Sequence, residues 1–110
     1  MILETKTLGN ILAATITQPE ANLTNAEQFK HEMLTLINEG NLRIALNFAQ
    51  VSYIDSSFLG AMVSSLKYAL GKGGEIYLTD LKKDITELLR LIRMDKVFKV
   101  YDSINNVPAA

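Results

Sequence analysis

The chain has 110 residues, enough for one hydrophobic core but not two, and its 48% hydrophobic and 21% charged residues are the balance of an ordinary soluble globular protein. A formal net charge of -1 offers nucleic acid no electrostatic attraction, and the absence of cysteine excludes disulfides, thiol nucleophiles and thiolate metal sites. No apolar run approaches the ~20 residues that span a bilayer, and Met1 to Lys6 has no basic stretch leading into an apolar one, so no membrane insertion or secretory signal is predicted and a cytoplasmic location is expected.

Ile2 to Leu8 and Ile11 to Thr17 are short β-favouring runs separated by Gly9-Asn10, a pair suited to a tight hairpin turn. Gln18 to Leu23, with Pro19 and Asn22, reads as a loop. Thr24-Asn25-Ala26-Glu27 fits a capping box and predicts a helix to about Asn38 that buries Phe29, Met33, Leu36 and Ile37, with Gly40 as its terminator. Leu42 to Phe48 is an apolar run of strand length. A helix from Ser57 to about Leu70 follows, its apolar residues Leu59, Met62, Val63, Leu66 and Leu70 spaced by three and four. Gly71-Lys72-Gly73-Gly74 closes it and opens a strand at Glu75 to Thr79, a crossover that makes the two strands parallel. Asp84 to Arg93 predicts a third helix with Ile85, Leu88, Leu89 and Ile92 inward, and Val97 to Tyr101 a last short strand. Asp102 to Ala110, with Asn105-Asn106 and Pro108, is expected to fray. The order β-β-α-β-α-β-α-β implies one α/β domain over residues 1–110, a mixed β-sheet covered by helices on one face.

The stretch between the central strand and the second helix, Val51 to Gly60, organises this pattern. Asp55, Ser56 and Ser57 stand where the helix begins, and their side-chain oxygens suit its unpaired first N–H groups. Those N–H groups and the positive end of the helix dipole also favour an anion, so a serine hydroxyl held there can carry a phosphate at little electrostatic cost.

Tyr53-Ile54-Asp55-Ser56-Ser57-Phe58-Leu59-Gly60 resembles the signature of the STAS domain of bacterial anti-sigma factor antagonists. The strand Ile44 to Phe48, Gly73-Gly74 before Glu75-Ile76-Tyr77-Leu78, and Leu88 to Phe98 also fall where that family has similar residues, so the resemblance runs from about Ile11 to Tyr101. It implies a binding module that docks on a serine kinase/anti-sigma factor and frees a sigma factor, with no cofactor. It makes Ser56 the phosphorylated residue, with Ser57 as second choice, and Asp55, Ser57, Phe58, Ala61, Ser65 and Asn22 the partner-binding residues. Read from the residues alone, Ser56 and Ser57 are equally well helix caps, and Asp55 an Asx-type loop stabiliser.

Three departures from the family stand out. Phe58 replaces a residue usually small and is expected to lie partly exposed at the mouth of the site. Asn22 stands near a position often acidic. The family's final helix is usually longer than Ser103 to Ala110 could make. A STAS adaptor or scaffold subunit, as in stress-signalling or lipid-transport complexes, keeps the fold without the switch.

An enzyme is disfavoured on residue chemistry. The only histidine, His31, falls on the polar face of the first helix, four residues after Glu27, where a surface pair is expected. No Gly-x-Ser-x-Gly elbow surrounds the serines, and Gly71-Lys72-Gly73-Gly74 lacks the spacing and the following helix of a phosphate loop.

Overall fold

The structure is a computed structural model that describes residues 1–108. Its elements in chain order are strands β1 (Leu3–Leu8), β2 (Ile11–Ile16) and β3 (Glu20–Ala21), helix α1 (Leu23–Asn38), strands β4 (Arg43–Asn47) and β5 (Tyr53–Ile54), helix α2 (Ser56–Gly71), strand β6 (Glu75–Thr79), helix α3 (Lys83–Leu91) and strand β7 (Lys99–Tyr101). Single turns of 3-10 helix occur at Met94–Lys96 and Ile104–Asn106. This is the mixed α/β architecture expected. β1 and β2 form the antiparallel hairpin, with Leu8 opposite Ile11 and Gly9 at φ 63°, a value that suits glycine. β4, β6 and β7 join in parallel to give the five-stranded order β1-β2-β4-β6-β7.

Alternation along the strands divides the sheet into two faces. Leu12, Ala14, Ile16, Ile44, Leu46, Ile76 and Leu78 turn toward the helices and are buried with Phe29 and Met33 of α1, Phe58, Met62 and Leu66 of α2, and Ile85 and Leu89 of α3. Ile11, Ala45 and Tyr77 point the other way and form a small separate cluster with Val107, flanked by Tyr101 and Ile104. The segment expected to fray is therefore seated: Val107 is buried on the back of the sheet. Arg43 holds it there. The guanidinium donates to the Pro108 carbonyl, to Asn10 Oδ1 at 2.9 Å and to Tyr77 Oη at 3.2 Å, and lies over the Tyr77 ring. Ala109 and Ala110 lie outside the described residues.

The glycine pair before β6 has a steric origin. Gly73 has φ 82°, and a Cβ on Gly74 would stand 2.5 Å from the Leu42 carbonyl oxygen, which already accepts the Glu75 N–H at 2.7 Å. Only glycine lets the end of α2 pass so close to the chain entering β4.

Several local expectations need correction. The segment read as a loop contains β3, which pairs in parallel with β5 as a two-stranded sheet of its own. Helix α1 begins two residues early: Asn22, not Thr24, is its N-cap, and Asn25, not Glu27, completes the reciprocal box. Helix α2 is rotated from its predicted phase, so Phe58, Ala61, Ser65 and Ala69 are buried with Met62 and Leu66, whereas Leu70 is exposed. In α3, Ile85 and Leu89 are buried as expected, Leu88 is half-buried, and Ile92 is exposed past the helix end. Glu32 carried no prediction, yet its buried carboxylate accepts the Ile2 N–H at 2.9 Å and the Leu3 N–H at 3.0 Å, tying the start of β1 to α1.

Candidate functional site

The site is assembled by the small β3–β5 sheet. Pro19 O accepts the N–H groups of Ser52 and Tyr53, and Ala21 O accepts that of Asp55 at 3.0 Å. The segments leading into α1 and α2 are thus laced side by side, and the two helix N-termini arrive together.

Asp55 then joins them directly. It is the N-cap of α2, where Oδ1 accepts the Phe58 N–H at 2.9 Å. Its other oxygen accepts the N–H of Leu23, the first residue of α1, also at 2.9 Å. One carboxylate satisfies an orphan donor on each of two helices and places a negative charge at two positive dipole ends. Asn22 completes the arrangement: its Oδ1 accepts from the Thr24 N–H at 3.0 Å and the Thr24 hydroxyl at 2.6 Å. Asn22, Asp55 and Ser56 are therefore neighbours through Leu23, although 33 residues separate the first two in sequence.

Ser56 is the first residue of α2 and is exposed. Asp55, not a serine, provides the cap, so the Ser56 hydroxyl is left facing outward. Ser57 is half-buried and lines a groove of about 300 Å³ between the two helices, with Leu23, Lys30, Ala61 and Ser64.

Phe58 is the clearest correction. Rather than lying at the mouth of the site, it is wholly buried, its ring centroid 4.5 Å from that of Phe29 on α1. A large apolar ring at the third helical position gains more by filling the α1–α2 seam than by facing water. Ser65, expected among the partner-binding residues, is also fully buried; its hydroxyl donates to the Ala61 carbonyl at 2.8 Å, which satisfies it within its own helix. Ala61 itself is buried at the floor of the groove. The side of α2 carrying these three residues packs on α1.

Two residues at the site were not foreseen. Leu23 is 70% exposed and Tyr53 54% exposed, both large and apolar beside the Asp55–Ser56 turn. Tyr53 was legible in principle: in β5 it alternates with buried Ile54 and must face out. Leu23 was hidden by the misplaced start of α1. Next to Tyr53, a cleft of about 340 Å³ runs past Pro19, Asn22 and Ser52.

His31 is exposed and borders a different cleft, with Gln28, Glu32 and Thr35, away from the serines. The expected pair with Glu27 is not formed: among the described residues the ion pair present is Lys99–Glu75. No helix of the described residues is long and apolar enough to cross a membrane, and no cluster of potential metal ligands occurs among them.

Comparison with known proteins agrees with this architecture. The sequence model of the STAS domain matches residues 3–107, and the chain belongs to the STAS domain family. A Thermotoga maritima protein, named as a candidate anti-sigma factor antagonist, is 33% identical over 87 residues, covering 78% of this chain and 77% of its own. A crystal structure from the same organism, under the same name, superposes with a TM-score of 0.87 at 29% identity over 94% of this chain and 88% of that one. The phosphorylated form of the Bacillus cell fate determinant SpoIIAA shares the fold, with a TM-score of 0.70 at 15% identity over 96% of both chains.

Proposed function

We propose that this protein is an anti-sigma factor antagonist switched by phosphorylation of Ser56, and that its partner is a serine kinase that is also the anti-sigma factor. Unmodified, it occupies that partner and frees a sigma factor. The observation that supports this reading is the placement of Ser56: an exposed hydroxyl in the first turn of a helix, directly after a carboxylate fixed by two helix N-termini. A phosphate there adds about −1.5 to −2 charge beside Asp55, so a partner surface that fits the unmodified turn meets a cluster of negative charge after modification. Repulsion at the contact is sufficient, and no refolding is needed. The names of the Thermotoga relatives agree with the class; the Bacillus protein shares the fold alone, so the phosphorylation proposal rests on the position of Ser56.

The docking surface differs from the one expected from sequence. Phe58 and Ser65 are inside, so their part is to hold α2 against α1. The contact falls instead to Ser56, Ser57, the cap residues Asn22 and Asp55, and the exposed apolar pair Leu23 and Tyr53.

The test is phosphate uptake by mass after incubation with the cognate kinase and ATP. Wild type should gain one phosphate and Ser56→Ala none, while Ser56→Ala still binds the kinase. Because Asp55 is the cap, Ser56→Ala should change stability by no more than about 0.5 kcal/mol, so loss of uptake would not reflect unfolding. Equal uptake by both would move the modification to Ser57. No uptake by either, with a kinase proven active, would favour the adaptor reading.

A further inference from the structure

A cleft of about 570 Å³ lies at the opposite margin of the sheet from the hairpin, between α3 and β7. β7 is the end strand: it pairs with β6 on one side and, among the described residues, with no strand on the other. Four consecutive residues, Phe98 to Tyr101, line the cleft, so it follows the free edge of the strand rather than touching it at one point. Leu89 of α3 and Phe98 form a buried apolar floor, and Val100, at 39% exposure, continues it outward. Arg90 and Lys96 stand exposed on the rim against the single acid Asp95, and neither cation is ion-paired among the described residues.

A groove between an open strand edge and a helix is the geometry in which an extended peptide adds itself to a sheet. The backbone supplies the hydrogen bonds, and alternate side chains enter the groove. Natural edges are usually protected by shortness or by a lysine, and β7, with three residues and Lys99, has some of both. Yet that lysine is drawn onto the back of the sheet by Glu75, at 3.1 Å, which leaves the groove side to Val100. We infer that this groove binds an extended peptide segment of a partner protein that pairs with β7 and whose groove-facing side chains, every second residue, are apolar and acidic in turn. The apolar residues would cover Leu89, Phe98 and Val100, and the acidic ones would meet Arg90 and Lys96. This inference is independent of the Ser56 reading, since it uses the other end of the sheet.

The probe is an acetylated, amidated octapeptide with valine and glutamate in turn at its odd positions and threonine at its even positions, titrated into the 15N-labelled full chain. Amide shifts should concentrate at Phe98–Tyr101 and Thr86–Arg90. N-methylation of alternate peptide amides removes the strand-pairing donors and should weaken binding at least about tenfold. Replacing glutamate by lysine in the peptide should also weaken it, and the double variant Arg90→Glu, Lys96→Glu should reverse that preference. Both substitutions are on exposed positions, and thermal melts of the variant would confirm that it folds. Any of four results overturns the inference: no shifts at millimolar peptide, shifts centred on the Ser56 turn, equal affinity for the N-methylated peptide, or shifts produced by decanoate but not by the peptide. Concentration-dependent pairing of the free protein through β7, abolished by Val100→Asp, would likewise replace the peptide by a second copy.

Discussion

The two faces of the sheet are built on different principles. The front is covered by three helices whose large side chains interlock: Phe29, Met33, Phe58 and Met62 are all fully buried. The back carries small or polar residues, Ala13, Ala45, Thr15 and Asn47, and its apolar part is closed by Val107 and a single 3-10 turn held by Arg43. The front face sets whether the chain folds, while the back face needs only enough cover to hide Ile11, Ala45 and Tyr77. With alanine at the centre of the back face, little apolar surface is left there to bury.

This contrast can be broken by mutation. Phe58→Ala removes a ring from the front core and should cost about 3–5 kcal/mol; a loss below 1 kcal/mol in urea titration would mean the α1–α2 seam can collapse around the gap. Leu89→Ala, at 1% exposure, should cost about 2–5 kcal/mol, and Leu88→Ala, half-buried on the same helix, clearly less. Equal losses would show that α3 presents a different face. On the back, Val107→Ala deletes two methyl groups and should cost no more than about 1.5 kcal/mol. A loss matching that of Leu89→Ala would mean the back cluster bears as much of the fold as the front.

The smallest effect is expected from the exposed Lys99–Glu75 pair. The hydrogen bond that Lys99 donates to Glu75, then the charge of that carboxylate, raises the Lys99 amine above its ordinary value of 10.5. A raised folded-state value means that the pair's contribution is fully present below pH 10.5 and fades as pH climbs through the higher folded value. Lys99→Met should therefore differ slightly from wild type in thermal melts at neutral pH, and that difference should vanish in strongly alkaline buffer. A difference that grows there would contradict the assignment.

Most of the front face was legible because its strands are continuous apolar runs and its turns carry glycine. Ile44 to Leu46 and Ile76 to Leu78 can hardly be anything but buried strands, and Gly73-Gly74 marks the close pass at Leu42. The phase of α2 was not legible. The predicted stripe and the true one share Met62 and Leu66, and the deciding positions are Ala61, Ser65 and Ala69, small residues whose burial comes from close helix approach rather than from their own hydrophobicity. The start of α1 was ambiguous for a similar reason. Asn22 and Thr24 are both good caps, and the choice is made by Asp55, which is remote in sequence and takes the Leu23 N–H. The candidate site divides the same way: Ser56 could be picked out from its motif, whereas Leu23 was hidden by the ambiguous start of α1 and the outward turn of Tyr53 rests on alternation within a strand of only two residues.

The shared carboxylate of Asp55 also bears on how such sequences should drift. A residue that caps one helix and accepts a first-turn N–H of another is retained by selection for folding, whatever becomes of signalling, because almost any replacement loses a bond to both. Ser56 carries no such burden. In a lineage without the proposed kinase, the aspartate should persist while the next position wanders freely among alanine, glycine, asparagine and others. The aspartate in a related chain thus testifies to architecture, and on the reading proposed above only the residue after it would testify to a switch.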